Sequence, residues 1–168
     1  MSQQPEHRAL IDGLEFAAAG AKQQGALQLS SFPRLRDLLA SDAGQAAYAV
    51  EGVRDARGRP SLEITVQATL QVRCQRCLEP MPLEVKTESL LVLAATQAEI
   101  DADADSPDAP DRVVAGKEMP LADLVEDELI LALPYAPRHE SCRTADGTRV
   151  ETKASPFAGL KDLLGDKH

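Results

Sequence analysis

Three cysteines are the residues of this chain best suited to chemistry, and two of them lie close together in the sequence. Cys74 and Cys77 form a Cys-x-x-Cys motif, and Cys142 follows His139 in a His-x-x-Cys motif. Zn²⁺ prefers sulfur and imidazole ligands, and structural zinc sites hold four of them in a tetrahedron. Because each motif supplies two ligands, Cys74, Cys77, His139 and Cys142 predict one closed Cys₃His zinc site, which would stabilise the fold and catalyse nothing.

Three other interpretations of the cysteines stay open. They could be reduced structural thiols, with Cys74 a small core residue at the end of a strand. They could form a redox pair, although thioredoxin-type motifs belong to βαβ units. Cys77 or Cys142 could be a nucleophile with His139, but no third orienting residue accompanies them. A separation within about 4 Å between the sulfurs of Cys74 and Cys142 would favour a shared ion.

The elements that must position these motifs are mainly strands. Residues 62–74 alternate strictly between apolar and polar side chains, which predicts a long antiparallel strand with one buried face. Strands over residues 46–55 and 83–94 flank it, with a hairpin loop at residues 56–60. Short connections between three strands predict an antiparallel β-meander that could curl toward a barrel. The Cys-x-x-Cys motif is then a knuckle at a hairpin tip, with Cys74 facing the core.

One main helix is predicted over residues 120–133, where apolar side chains recur at helical spacing. Glu126 lies off this apolar stripe and is expected in solvent, whereas Glu128 falls on the stripe's edge. A short helix over residues 33–40 and an edge strand over residues 112–115 complete the set. Arg34 and Arg36, near the start of the short helix, are expected to be solvated surface residues, and the alternative is a specific contact with an anion.

The predicted organisation is a single α+β domain over residues 1–143, followed by a flexible tail over residues 144–168. Residues 97–111 form an acidic loop inside the domain. Its aspartates resemble a calcium-binding loop, but Ser106 and Arg112 replace the glycine and glutamate that such a loop needs. In the tail, residues 156–164 place apolar side chains on one helical face and could serve a partner as a short motif.

The net charge and the lack of long apolar runs argue against several classes of function. A net charge of −9 argues against undirected binding to a polyanion, so any nucleic-acid contact needs a local basic patch. No apolar run reaches the length of a membrane span, and the N-terminus lacks the layout of a signal peptide. We therefore expect a cytoplasmic protein with no membrane partner. Phosphate-binding loops and nucleophile elbows are absent from the sequence, so no enzyme is expected.

Four segments, in order, resemble the bacterial YceD family of large ribosomal RNA subunit accumulation proteins. They are residues 74–81, residues 123–134, the pair His139 and Cys142, and residues 156–160. Two features differ: Ser155 replaces the asparagine of the family's terminal Asn-Pro-Phe-Ala, and the histidine-to-cysteine spacing varies within the family. The resemblance implies a non-enzymatic factor needed for synthesis, processing or stability of large-subunit (23S) ribosomal RNA.

Arginines flank both cysteine motifs, and this bears on how such a factor would contact RNA. If the two motifs meet, four arginines would form one basic patch on an acidic body, namely Arg73, Arg76, Arg138 and Arg143. The competing interpretation is scattered solubilising charge. An alternative function is a protein-interaction adaptor, whose acidic helix face and apolar tail bind a basic ribosomal protein or an RNA-processing enzyme without RNA contact.

Overall fold

The computed structural model describes residues 9–102 and 111–142 of the chain. Short strands and helices precede and follow three long strands. In chain order the elements are β1 (Leu10–Ile11), α1 (Gly13–Ala19), β2 (Lys22–Gln28), α2 (Pro33–Arg36), β3 (Gln45–Arg54), β4 (Pro60–Arg73), β5 (Pro80–Ala94), α3 (Gln97–Ala102), β6 (Arg112–Val114), β7 (Met119–Pro120) and α4 (Leu121–Leu131). Within these residues, no helix is long and apolar enough to cross a membrane.

The main sheet has the order β2-β3-β4-β5-β6. The first four strands are antiparallel neighbours, and β6 adds in parallel to β5. The predicted meander and the α+β class are therefore confirmed. Among the described strands the sheet is open, with β2 and β6 at its edges, and it is not closed into a barrel. A separate two-stranded pair joins β1 to β7.

The alternation of β4 appears in the structure as predicted. The side chains of Leu62, Ile64 and Val66 are buried, whereas Glu63 and Gln67 on the opposite face are exposed. The α1 and α4 helices pack against the strands. An antiparallel sheet with one covered face needs this pattern, because a shift of one residue would move every apolar side chain into water.

The α1 helix was not predicted, and it lies unusually close to the sheet. Asp12 caps its start by accepting a hydrogen bond from the Glu15 amide at 3.1 Å. A Cβ atom at Gly52 of β3 would overlap the carbonyl oxygen of Phe16 and lie 2.8 Å from the Ala17 Cα atom. Glycine at position 52 therefore allows the backbone of the helix to rest directly on the strand.

Two predicted segments differ in extent or in kind. The α2 helix ends at Arg36, short of the predicted residue 40, because the chain turns to the sheet, where the Ala40 amide donates to the Gln71 carbonyl at 2.6 Å. The segment predicted as an acidic loop begins with a helix, α3, whose neighbours are β5 and β6. Residues 103–110 of that loop, and the whole tail from residue 144, lie outside the described residues.

Glu126 of α4 was predicted to lie in solvent, and this prediction was wrong. Its side chain is buried, with a relative exposure of 2%. Its Oε1 accepts from the backbone amides of Arg34 at 2.7 Å and Leu35 at 2.9 Å. Its Oε2 accepts from Arg34 Nε at 2.9 Å. The α2 helix has no side-chain cap of its own, so Glu126 satisfies amides at its N-terminus from another helix. We call this contact between Arg34, Leu35 and Glu126 the helix junction.

Arg34 is exposed as expected, with 53% of its side chain accessible, but it also makes the specific anion contact that was the alternative. Its guanidinium forms ion pairs with Glu126 at 2.9 Å and Asp127 at 2.7 Å. Glu128, predicted at the edge of the apolar stripe, is half-buried and accepts a hydrogen bond from the Ser89 hydroxyl at 2.6 Å. A carboxylate facing a packed surface needs such a donor, since burial without one is costly.

Candidate metal centre

The first half of the site is the turn between β4 and β5. The Cys74 amide donates to the Glu79 carbonyl at 3.0 Å, and the Leu78 amide donates to the Cys74 carbonyl at 2.9 Å. Leu78 adopts the left-handed conformation, with φ of 65°. Such a conformation costs a non-glycine residue roughly 1–2 kcal/mol. The turn folds the chain back tightly enough to bring Cys74 and Cys77 to the same side of the hairpin tip.

The second half follows α4. Residues 134–142, which we call the arm, leave the helix end and pass across the hairpin tip. The Gln75 amide donates to the Pro137 carbonyl at 2.8 Å, which fixes the arm just before His139. The chain then places His139 and Cys142 over the two cysteines of the tip. The structure thus brings together the two motifs that the sequence separates.

The four side chains form one compact cluster. Their ligand atoms all lie within 4.8 Å of one another. The Cys74 and Cys142 sulfurs are 3.8 Å apart, and the Cys77 sulfur is 3.3 Å from His139 Nδ1. A tetrahedral zinc ion with Zn–S bonds of about 2.3 Å would set these separations near 3.8 Å and 3.5 Å. The cysteine–histidine cluster (Cys74, Cys77, His139 and Cys142) could therefore bind a metal ion of this kind.

Backbone amides point at the sulfur of Cys74, which is buried. Burial raises the pKa of the Cys74 thiol, but hydrogen bonds from the amides of Cys77, His139 and Arg76 lower it to about 5. At Cys77, the Glu79 amide lowers the pKa, whereas burial and the neighbouring sulfurs of Cys74 and Cys142 raise it. The net result for Cys77 is a raised pKa, because adjacent thiols disfavour a second negative charge.

Arg76 is part of the cluster's surroundings. Its Nε donates to the Cys142 sulfur at 2.9 Å, and its Nη2 donates to the His139 carbonyl at 2.9 Å. The side chain is half-buried. A guanidinium beside the Cys142 sulfur would stabilise the negative charge that sulfur ligands carry around a bound metal ion. Sequence reasoning grouped Arg76 with the outward arginines, and no local pattern in the sequence indicates its inward direction.

The other predicted RNA-contacting arginines are placed differently. Arg73 is exposed and donates from Nη1 to the Leu78 carbonyl at 3.2 Å, and Arg138 is exposed on the arm. Both therefore belong to the same end of the sheet. Arg143 lies outside the described residues.

The way the four ligand atoms converge favours a metal site over a cysteine nucleophile. All three cysteines are free thiols. The contact between Cys77 and His139 would also suit a thiol and its base. However, a nucleophile needs one sulfur open to a substrate, and here the four ligand atoms face one another. This geometry fits a closed structural ion site, in which no position remains for a reacting molecule.

Fold and site together define a small α+β protein whose open sheet ends in a cluster with metal-ligand chemistry. A family model described as "Large ribosomal RNA subunit accumulation protein YceD" matches residues 62–164, more than half of the chain. The chain therefore belongs to the YceD family, and the resemblance seen in its motifs is confirmed.

A relative with the same description, from Haemophilus influenzae, is 33% identical over 110 residues. The alignment covers 58% of this chain and 62% of that protein, so the chain spans less than two thirds of this relative's length. No solved structure matches the chain.

Proposed function

We propose that this protein is a non-enzymatic, cytoplasmic factor needed for the accumulation of large-subunit (23S) ribosomal RNA. The observation that carries the proposal is the family match over residues 62–164, because it contains both halves of the cluster. The relative from Haemophilus influenzae is named for accumulation of the large ribosomal RNA subunit. The closed geometry of the cluster supports a structural role at this site, with no reacting group presented to a substrate.

The cluster is proposed to hold one structural zinc ion, with Cys74, Cys77, His139 and Cys142 as ligands. Arg73 and Arg138, at this end of the sheet, and Arg143, the next residue in sequence after Cys142, are proposed to contact RNA phosphates. Arg76 has two of its nitrogens engaged inside the cluster, so we assign it to the metal site. A local patch is required because the chain as a whole carries a net charge of −9 and repels a polyanion. Residues 1–143 are proposed to fold as one domain with residues 144–168 as a tail.

Depletion of the protein in the organism that encodes it tests this function. We expect the level of 23S ribosomal RNA to fall relative to 16S ribosomal RNA, and the wild-type gene to restore it. Arg73→Glu should restore it poorly if the basic patch contacts RNA, whereas Arg57→Glu, in the distant β3–β4 loop, should restore it fully. An unchanged ratio of 23S to 16S ribosomal RNA after depletion would remove the proposal.

The adaptor function is the second candidate, and it is favoured by the sheet face opposite the one on which α1 and α4 pack. By their alternation with buried residues, the described strands place Glu51, Glu63, Glu84 and Glu88 on this face against three cations, Lys22, Lys86 and, at the end of β4, Arg73. Lys22 is paired with Glu51 at 2.7 Å. The remaining acidic charge suits a basic protein better than RNA. Affinity purification with and without nuclease separates the candidates, since an adaptor keeps its ribosomal-protein partner after the RNA is digested.

A further inference from the structure

Within the described residues, the polar contacts of the arm are with the hairpin tip. In residues 9–102 and 111–142, every hydrogen bond found for residues 134–142 joins a residue between Cys74 and Cys77. Two of these are conventional bonds to carbonyl oxygens, at Pro137 and His139. The others involve the sulfur and imidazole groups of the cluster itself.

Apolar packing does little to hold the arm. Tyr135 is fully exposed, and Arg138, Glu140 and Ser141 are exposed as well. The buried core of the described chain ends, in sequence order, with Leu129 of α4, so no arm residue belongs to it. A segment with few buried contacts and few hydrogen bonds opens at low free-energy cost. Something other than packing must therefore fasten the arm if it is to stay in place.

A bound divalent cation would fasten the arm far more strongly than these few hydrogen bonds. Thiols are weak hydrogen-bond donors and acceptors, and neighbouring thiolates repel one another, so the sulfur and imidazole groups add little attraction of their own. A divalent ion changes this, because it binds two ligands from the tip and two from the arm. Three thiolates and a neutral imidazole around Zn²⁺ leave one net negative charge, and Arg76 lies against the Cys142 sulfur, where it offsets that charge.

We infer that a zinc ion in the cluster fastens the arm to the hairpin tip, and that Arg76 acts as a positioning residue for the ion through the Cys142 sulfur. The metal thereby decides whether Arg138 is held at the same end of the sheet as Arg73. This inference rests on the proposed zinc site, and it extends the proposed function by making the basic surface depend on metal occupancy.

Limited trypsin digestion of the full chain tests the fastening. Trypsin cleaves after Arg138, inside the arm, and after Arg57, in the β3–β4 loop. We expect removal of zinc by a chelator to speed cleavage after Arg138 by at least about tenfold, with cleavage after Arg57 unchanged. Equal cleavage after Arg138 with and without zinc would overturn the inference. So would equal acceleration at both sites, because it would mean that the whole domain opens.

Variants of neighbouring arm residues provide a matched comparison. Cys142→Ala removes a ligand, and zinc-treated Cys142→Ala should be cleaved after Arg138 as fast as the chelated wild type. Ser141→Ala changes the preceding, exposed side chain and should stay protected by zinc. Protection of both variants would show that the metal does not hold the arm.

The role of Arg76 is tested by zinc affinity, measured by competition with a chromophoric chelator. Arg76→Met keeps an unbranched apolar stem but removes the charge and the donors, and should weaken zinc binding about tenfold. Arg76→Lys restores the charge without the planar fork and should recover part of the loss. Arg73→Met removes the same charge from the exposed neighbour and should leave zinc affinity unchanged. Equal losses for Arg76→Met and Arg73→Met would exclude a positioning role.

Binding to a 23S ribosomal RNA transcript separates this inference from the proposed function. Suppose that zinc protects the arm but RNA binds equally with and without zinc. Zinc then holds the arm to the hairpin tip, but it does not control the RNA-binding surface. If zinc protects the arm and no RNA binds under either condition, zinc still holds the arm to the hairpin tip, but the proposal of direct RNA contact is refuted.

Discussion

Two of the side-chain contacts between distant parts of this chain use different chemistry. The helix junction connects Arg34 to Glu126 across 92 positions, and the cysteine–histidine cluster connects Cys74 to Cys142 across 68 positions. In the junction, one buried carboxylate receives two backbone amides and a guanidinium, all supplied by the protein. In the cluster, sulfur and imidazole groups face one another, and the cation that the described residues supply is Arg76.

Because of this difference, the two contacts should depend differently on the metal ions in solution. A buried carboxylate with its donors and its opposite charge in place needs nothing from solution. A set of metal ligands without an ion has weak internal attraction and gains its strength from the metal that it binds. We therefore expect the helix junction to be a constant part of the fold and the cluster to respond to zinc supply.

The largest effect on stability should come from Glu126→Ala. This change leaves the amides of Arg34 and Leu35 at the start of α2 without an acceptor, and it should lower the free energy of unfolding by about 2–4 kcal/mol. Denaturant unfolding measures the loss. Asp127→Ala is the control, because Asp127 pairs with the same Arg34 from a side chain that is 52% exposed, and its loss should be much smaller. Equal losses would mean that burial of Glu126 is not what matters.

A smaller effect is expected at the β3–β4 turn, where a third polar contact is local. The Asp55 carboxylate accepts from the amides of Arg57 at 2.9 Å and Arg59 at 2.7 Å, and from Arg59 Nε at 2.7 Å. Burial raises the pKa of Asp55, but these bonds lower it below its ordinary value of 3.8. A lowered pKa in the folded state adds stability above the ordinary value, and this stability is lost as the pH falls through the folded-state pKa.

Asp55→Asn should therefore destabilise the protein at neutral pH, by less than Glu126→Ala does. Unfolding curves of the wild type and the variant should converge as the pH falls below 3.8. Asp37→Asn, which alters an exposed carboxylate, should match the wild type throughout. A gap between wild type and Asp55→Asn that stayed constant down to low pH would show that the charge of Asp55 has no part in the turn.

The smallest expected effect is the coupling between the two long-range contacts. They share no residue, so the destabilisation by Glu126→Ala should be the same with zinc bound and with zinc removed, within about 0.5 kcal/mol. The measurement is a double cycle of unfolding free energies, wild type and Glu126→Ala, each with and without chelator. A larger coupling would mean that α4 transmits strain between the two contacts. The helix junction would then depend on zinc as well.

Much of the sheet could be predicted from the sequence, because a strand with one buried face shows alternating apolar and polar residues, and a hairpin shows typical turn residues. The period of two in residues 62–74 predicted the buried face of β4, and the turn residues around Arg57 predicted the hairpin before it. The α1 helix was missed because it is short and ends at Gly20, so its apolar pattern spans too few residues to show a period. The α3 helix was missed because its acidic composition is typical of a solvated loop.

Glu126 was the consequential error in the prediction of the fold. Seen along α4 alone, it lies beside the apolar stripe and looks solvated, because nothing in the helix indicates that α2 packs there. One signal was available: α2 begins at Pro33 without a side-chain cap, and uncapped amides near a core require an acceptor from elsewhere. The sequence shows the need for that acceptor but not which residue meets it.

The sequence by itself determined the three long strands and the edge strand β6, the position of Cys74 on the core face, and the identity of the four candidate ligands. These depend on residue type and on short-range periodicity, which a linear chain displays directly. Only the tertiary structure decided that the two motifs meet, that Arg76 turns toward the Cys142 sulfur, and that Arg73 remains outside. The direction of a side chain in a turn is set by the surface that packs against it, and here that surface is the arm, more than sixty residues away along the chain.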